Sequence, residues 1–116
     1  MKISEIAAVL DAKIYCGEEQ FDREVHSACG CDLMSDVLAY IKDQAVLLTG
    51  LVNPQVIRTA EMMDIACVVL VRGKQPTDSM IELARERGLT LMSTHHKMFS
   101  SCGLLYNSGL HNGGGR

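Results

Sequence analysis

The sequence has no tryptophan, only two prolines and only 4% aromatic residues over 116 positions. Its longest wholly apolar run has seven residues, at positions 65–71, far fewer than the roughly 20 that a membrane-spanning helix needs. No basic segment followed by an apolar one opens the chain, and its five cysteines cannot all pair with one another. These features indicate a protein that crosses no membrane and resides in the reducing cytoplasm.

A concentrated basic face is also lacking. Lysine and arginine number 11 against 14 aspartates and glutamates, which gives a formal net charge of -3. The densest basic cluster is Arg85 with Arg87, on the surface of a predicted helix. Because binding to phosphate backbones needs many clustered cations, the composition argues against nucleic acid as the main partner.

The motifs that frame a catalytic group are missing as well. A nucleophilic cysteine or serine needs a base held by a third group, and no nucleophile elbow surrounds any serine or cysteine here. Neither a Walker loop nor a dinucleotide fingerprint occurs at the glycine turns. The carboxylates of Glu18, Glu19, Asp22 and Glu24 cluster near a turn, as is typical of a solvated loop. We therefore expect no enzymatic activity and no cofactor.

Apolar residues, in contrast, are abundant. They make up 47% of the chain, and the mean hydropathy of +0.11 is high for so small a domain. A small fold has proportionally more surface, so part of this apolar area should remain exposed. Two-fold symmetric dimers are the commonest way to cover such area, and a dense core containing the seven methionines is the alternative. We expect a homodimer.

Segments with helical spacing of apolar residues alternate with short apolar runs typical of buried strands. The pattern predicts strands at 13–16, 25–31, 45–49, 66–71 and 89–94, and helices at 3–10, 33–41, 54–63, 77–87 and 97–102. Asp32 and Asn53 occupy expected N-cap positions. Strands that are apolar on both sides and alternate with helices predict a single α/β domain. Its sheet should be mostly parallel, with four to five strands and helices on both faces.

The order of several motifs resembles the DRTGG domain family over nearly the whole chain. The motifs are ISEIA near the start, GEEQFDREV, LLTGLVNPQVIRTA, CVVLVRG and GLTLMSTHHKMF. The resemblance implies a DRTGG-like α/β domain over residues 1–110. Residues 111–116 contain no apolar side chain and are predicted to form a flexible C-terminal tail.

The resemblance also carries expectations about function. Members of this family occur fused to phosphate acetyltransferases and to CBS-containing pyrophosphatases, and also as free-standing proteins. The resemblance implies kinship with the N-terminal domain of HPr kinase/phosphorylase. It further implies that the chain is a regulatory or dimerisation module with no catalytic role. The Asp-Arg and Thr-Gly-Gly of the family fall here on Gly50-Leu51-Val52 and Val71-Arg72-Gly73, so Gly73 matches as a turn position. We expect the chain to act on a partner protein in trans.

Polar and flexible residues follow three of the predicted strands. The candidate ligand-binding residues are Thr49, Gly50, Asn53, Arg72, Gly73, Lys74, Thr94 and His95. Ligands of open parallel sheets bind beyond the carboxyl ends of the strands, where two cations and a helix N-terminus would suit an adenine nucleotide or another anion. The alternative assigns the glycines to turns, Asn53 to a helix cap and both cations to solvent. A small-molecule sensor is thus the second hypothesis.

One metal-like grouping remains, formed by His26, Cys29 and Cys31. On a strand the two cysteines would share one face and could contact one metal ion. A tetrahedral site needs two further ligands from elsewhere in the chain. The alternative is that the thiols pack in the core, since free cysteine is among the most commonly buried residues. A metal or redox protein is therefore the third hypothesis.

Overall fold

A computed structural model of the protein describes residues 1–40 and 44–112. Its helices are α1 (Ile3–Leu10), α2 (Met34–Tyr40), α3 (Pro54–Met62), α4 (Asp78–Glu86) and α5 (Met98–Asn107). Its strands are β1 (Lys13–Cys16), β2 (Ser27–Gly30), β3 (Ala45–Thr49), β4 (Cys67–Leu70) and β5 (Thr90–Ser93). A single 3-10 turn, Glu18–Gln20, follows β1.

The five strands form one sheet in the order β1-β5-β4-β3-β2. Strands β2 to β5 run parallel to one another, and β1 pairs with β5 in the antiparallel direction. In the centre of the sheet, Val68 of β4 lies beside Leu47 of β3 and Leu91 of β5. The prediction of a mostly parallel sheet with four to five strands is confirmed.

Helices cover both faces of the sheet, as predicted. Helices α2, α3 and α4 pack on one face, where the buried side chains include Val37, Leu47, Ile57, Met80 and Leu91. Helices α1 and α5 pack on the other, where they include Ile6, Val46, Val69, Met92 and Leu105. Burial of each such side chain contributes about 1.5–3 kcal/mol. The two cores account for the continuous apolar runs of β3 and β4.

The winding of the sheet bears on where a ligand could bind. From β2 to β5 each strand is added beside the previous one, and all three connecting helices lie on the same face. In doubly wound sheets the ligand crevice opens where the strand order reverses and neighbouring helices diverge to opposite faces. The strand order from β2 to β5 contains no such reversal, so this part of the sheet does not by itself open a ligand-binding crevice.

Most helix bounds lie within one residue of the sequence prediction, but the end of α5 and the capping of α2 differ from it. Helix α5 was expected to end at Cys102, but it continues through Gly103 to Asn107, because Leu105 places another buried side chain against the sheet. Helix α2 begins at Met34, so Asp32 lies too early to be its N-cap. Asn53 does cap α3, its side-chain oxygen accepting from the amide of Gln55 at 2.8 Å.

The end of the described chain lies along the edge strand β2. Leu110 is buried, and the carbonyl of Asn112 accepts a hydrogen bond from the amide of Ala28 at 3.0 Å. The ring of His111 lies 4.6 Å from that of Tyr106. Residues 113–116 lie outside the described residues, so the flexible tail stays a prediction. Within the described ranges, no helix combines the length and the apolar character that crossing a membrane requires.

Candidate functional site

The strand-end edge is the side of the sheet where β2 to β5 have their carboxyl ends, and it comprises residues 31–33, 49–53, 71–74 and 94–97. Strands β3, β4 and β5 are direct neighbours. The candidate residues that follow these three strands therefore come to one edge of the sheet. Their contacts show which side chains remain available to a ligand.

The aspartate that was predicted to cap a helix lies instead at the end of this edge formed by β2 and β3. Oδ1 of Asp32 accepts hydrogen bonds from the hydroxyl of Thr49 at 2.9 Å and from the amide of Gly50 at 2.7 Å. The carboxylate thereby occupies the position at which the Gly50 amide could otherwise bind an anion. Its only sequence signal was a carboxylate directly after a strand, the same signal that an N-cap gives.

The loops after β4 and β5 are hydrogen-bonded to each other. The amide of Arg72 donates to the carbonyl of His96 at 2.7 Å, and the amide of Gly73 donates to the carbonyl of Thr94 at 2.8 Å. The hydroxyl of Thr94 is buried and donates to the carbonyl of Leu10 at 2.6 Å. The backbone at this half of the edge is therefore already paired within the chain.

Of the candidate residues, Arg72, Lys74 and His95 keep exposed side chains that no described hydrogen bond uses, and Lys97 on the same edge is exposed as well. Among the described residues neither Arg72 nor Lys74 has an ion-pair partner. Arg72 adopts the left-handed conformation with a φ of 62°, which is uncommon outside glycine. The ring of His95 lies 4.2 Å from the ring of His96.

Arg72 and Asp32 lie on either side of Gly50. A Cβ built on Gly50 would lie 3.7 Å from Oδ1 of Asp32 and 3.9 Å from Nη2 of Arg72. In the family that the sequence resembles, an Asp-Arg pair falls at this turn, and here the turn reads Gly50-Leu51. An aspartate and an arginine from the two neighbouring strands thus surround the place where this chain has glycine.

The charges around this edge are mostly positive. Lys74 and Lys97 lie on its loops with Arg72, and Lys13 pairs with Ser93 at the end of β5. The N-terminus of α3 faces the same edge, where its macrodipole adds partial positive charge. On a chain of net charge -3, this edge is a locally favourable place for an anion.

Two cavities lined by described residues include none of the residues of the strand-end edge. One, of about 260 Å³, lies between α3 and α4 and is lined by Pro54, Arg58, Ser79, Glu82, Leu83 and Glu86. The other, of about 220 Å³, lies between β2, α5 and the C-terminal segment and is lined by Ala28, Gly30, Cys102, Tyr106, Leu110, His111 and Asn112. Among the residues that line these two cavities, Gly30 alone is the last residue of a strand.

The two cysteines of the metal hypothesis are partly buried against one of the cores. Cys29 and Cys31 both lie against the α2–α4 core, as the strand spacing predicted, whereas His26 is exposed ahead of β2. Burial raises the pKa of the Cys29 thiol to about 11, with Cys31 and Cys102 nearby adding to the shift. A protonated thiol is a poor metal ligand. Over residues 1–40 and 44–112, no three His, Cys, Asp or Glu side chains are placed to hold a metal.

Comparison with known proteins agrees with this architecture. The structure is similar to the crystal structure of the CBS and DRTGG domains of the regulatory region of Clostridium perfringens pyrophosphatase, complexed with the activator diadenosine tetraphosphate. The TM-score is 0.76 at 17% identity, over 92% of this chain and 46% of that one, so this chain spans less than half of that structure. No protein of curated function matches the chain. The family model of the DRTGG domain matches residues 5–108, and the chain belongs to the DRTGG domain family.

Proposed function

We propose that this chain is a non-catalytic, cytoplasmic regulatory module that works as a homodimer and acts on a partner protein. The observation that carries the proposal is apolar surface left outside two filled cores. Phe99 is 89% exposed, Met62 is 71% exposed, and Leu33 and Tyr106 are each 58% exposed. A contiguous exposed apolar patch marks an interaction surface, and Phe99 and Tyr106 lie seven positions apart on the same face of α5.

Two further observations support a regulatory role over a catalytic one. The chain belongs to the DRTGG domain family, and its structural relative is the regulatory region of a pyrophosphatase. Burial also raises the pKa values of the Cys16, Cys29 and Cys102 thiols. A raised pKa leaves less of the thiolate that a catalytic cysteine needs.

Sedimentation equilibrium and light scattering between about 1 and 50 µM test the homodimer, because a stable small-domain dimer has a dissociation constant at or below this range. We expect a mass of twice 12.7 kDa. A strict monomer over the whole range would remove the main support of the proposal.

A sensor for an adenine nucleotide or another anion is the second candidate function. It is favoured by the unpaired cations Arg72 and Lys74 beside the N-terminus of α3. The similar regulatory region was crystallised with a dinucleotide activator, which makes diadenosine tetraphosphate the first probe to try. Since the backbone amides of Gly50, Arg72 and Gly73 are already bonded within the chain, the side chains would supply most of the binding.

Thermal unfolding in the presence of AMP, ATP and diadenosine tetraphosphate tests the sensor. We expect at least one of these to raise the melting temperature of the wild type, and the double variant Arg72→Ala, Lys74→Ala to lose that shift. The matched control is Arg58→Ala, Arg85→Ala, which removes two exposed cations from α3 and α4. If no probe shifts the wild type, or if both double variants respond alike, the strand-end edge is not the site.

A further inference from the structure

Helix α5 is the one α-helix of the described chain that carries no charged residue. Its sequence is MFSSCGLLYN, whereas each of the other four contains at least one Asp, Glu, Lys or Arg. A helix on the outside of a small domain ordinarily directs charged side chains to water. The outward face of α5 is therefore unusual for a surface that stays in solvent.

Ser100 and Asn107 are exposed along one side of α5, and three further exposed residues form what we call the α5 outer face: Phe99, Gly103 and Tyr106. They are spaced four and three positions apart, so they lie in one row along the helix. The opposite side of α5 holds the buried Ser101 and Leu105 against the sheet. Phe99 and Tyr106 are 89% and 58% exposed, and no atom lies within 4 Å of a Cβ built on Gly103.

We propose that a second copy of this chain docks along the α5 outer face, with the two α5 helices antiparallel and crossing at Gly103. This inference rests on the proposed homodimer and specifies its interface. A two-fold interface requires that the same surface patch be complementary to itself. Phe99 precedes Gly103 by four positions and Tyr106 follows it by three, so an antiparallel pair places Phe99 beside Tyr106 of the partner subunit, and the reverse.

Gly103 and the absence of charged residues on α5 both favour a second copy of this chain as the partner. Side chains set the distance between packed helices, and a glycine at the crossing lets the two backbones approach closely while the aromatic rings on either side interlock. Each copy has a formal net charge of -3, so two copies repel each other in the net. An uncharged helix removes that repulsion at the contact, whereas an acidic or basic partner would find no complementary charge there.

The substitution Gly103→Glu tests the interface without weakening the domain. Gly103 lies in the interior of α5 with open space around its Cβ position, so a better helix former stabilises the isolated domain. In the dimer the same side chain would separate the crossing helices and bring two carboxylates together. We expect the dissociation constant to rise by more than about tenfold, as for a central contact of an interface.

The control is Gln55→Glu, which adds a negative charge at an exposed polar residue on α3. Sedimentation equilibrium of the wild type, Gly103→Glu, Phe99→Ser and Gln55→Glu should show weakened association for the two α5 variants alone. If the wild type is a dimer and Gly103→Glu and Phe99→Ser associate as tightly, the interface lies elsewhere and this inference is wrong while the homodimer stands. A monomeric wild type would instead refute the homodimer itself.

Discussion

The carboxylate of Asp32 accepts a hydrogen bond from the hydroxyl of Thr49 at 2.9 Å, and this contact joins the ends of β2 and β3. Thr49 is fully buried, so its hydroxyl has little access to water as a replacement partner. The same hydroxyl accepts from the amide of Leu51 at 3.1 Å. One carboxylate thus fixes the turn through which the chain leaves β3 toward α3.

Replacement of Asp32 by alanine should lower the free energy of unfolding by about 1–3 kcal/mol, because it leaves two hydrogen-bond donors without their acceptor. Asp32→Asn keeps an acceptor oxygen in the same position and should lose less than half as much. Urea unfolding of both variants checks this difference. Equal losses would mean that the negative charge, and not the acceptor geometry, stabilises the turn.

Gly17 should tolerate no larger residue, because two independent constraints coincide there. Its φ is 91°, and a Cβ would lie 2.7 Å from the carbonyl oxygen of Leu89, with the Cα of Thr90 closer still. Gly17→Ala should therefore cost about 3 kcal/mol from backbone strain and steric overlap together.

Gly73 supplies the matched control for this prediction. Its φ of 71° is also left-handed, but nothing lies within 4 Å of its Cβ position. Gly73→Ala should cost about 1 kcal/mol, the strain alone. Thermal unfolding of the two variants distinguishes the cost of steric overlap from the cost of backbone strain. Equal melting temperatures would contradict the packing described around Gly17.

Most of the fold follows from local pattern, because buried parallel strands and capped helices have strong signals. Strands 13–16 and 45–49 have the predicted bounds, and Asn53-Pro54 begins α3 as expected. Errors arose where long-range packing decided the outcome. The predicted strand 25–31 shortens to Ser27–Gly30, and α5 runs five residues beyond Cys102 because the sheet offers a surface for Leu105.

The sequence was sufficient to predict that the three strand ends meet at one edge, but not which contacts their residues make. Parallel strand ends must share one edge, so bringing Thr49, Arg72 and Thr94 together needed only the topology. Which of these side chains remain available to a ligand depends on hydrogen-bond partners that are distant in sequence. One example is Leu10, whose carbonyl accepts a hydrogen bond from the hydroxyl of Thr94. Asp32 was missed as a member of the edge for the same reason, since its partners lie on another strand.

Alkaline pH should destabilise the protein through Cys29. Its pKa is raised from an ordinary 9.0 to about 11, first by burial of the thiol. Between these values the unfolded chain loses a proton that the folded chain keeps, so the unfolded state binds fewer protons and the free energy of unfolding falls as pH rises. Below pH 9 this contribution is fully present.

Urea midpoints measured from pH 8 to pH 11 check this expectation. Cys29→Ala should show a shallower alkaline decline than the wild type, because tyrosine and lysine ionisation is common to both. Cys67→Ala offers a comparison, since complete burial raises the pKa of that thiol as well. A decline of identical slope in wild type and Cys29→Ala would show that the Cys29 thiol ionises alike in the folded and unfolded chain.

Ser101 presents a polar group whose removal should not harm the fold. It is fully buried on the inner side of α5, and among the described residues its hydroxyl has no hydrogen-bond partner. Alanine removes the unsatisfied hydroxyl and has the higher helix propensity, so Ser101→Ala should be neutral or stabilise by about 0.5–1 kcal/mol. Leu105→Ala, one turn later on the same buried side, should instead cost about 2–5 kcal/mol. Unfolding of both variants in urea distinguishes them, and a loss above about 1 kcal/mol for Ser101→Ala would mean that this hydroxyl is satisfied in the folded protein.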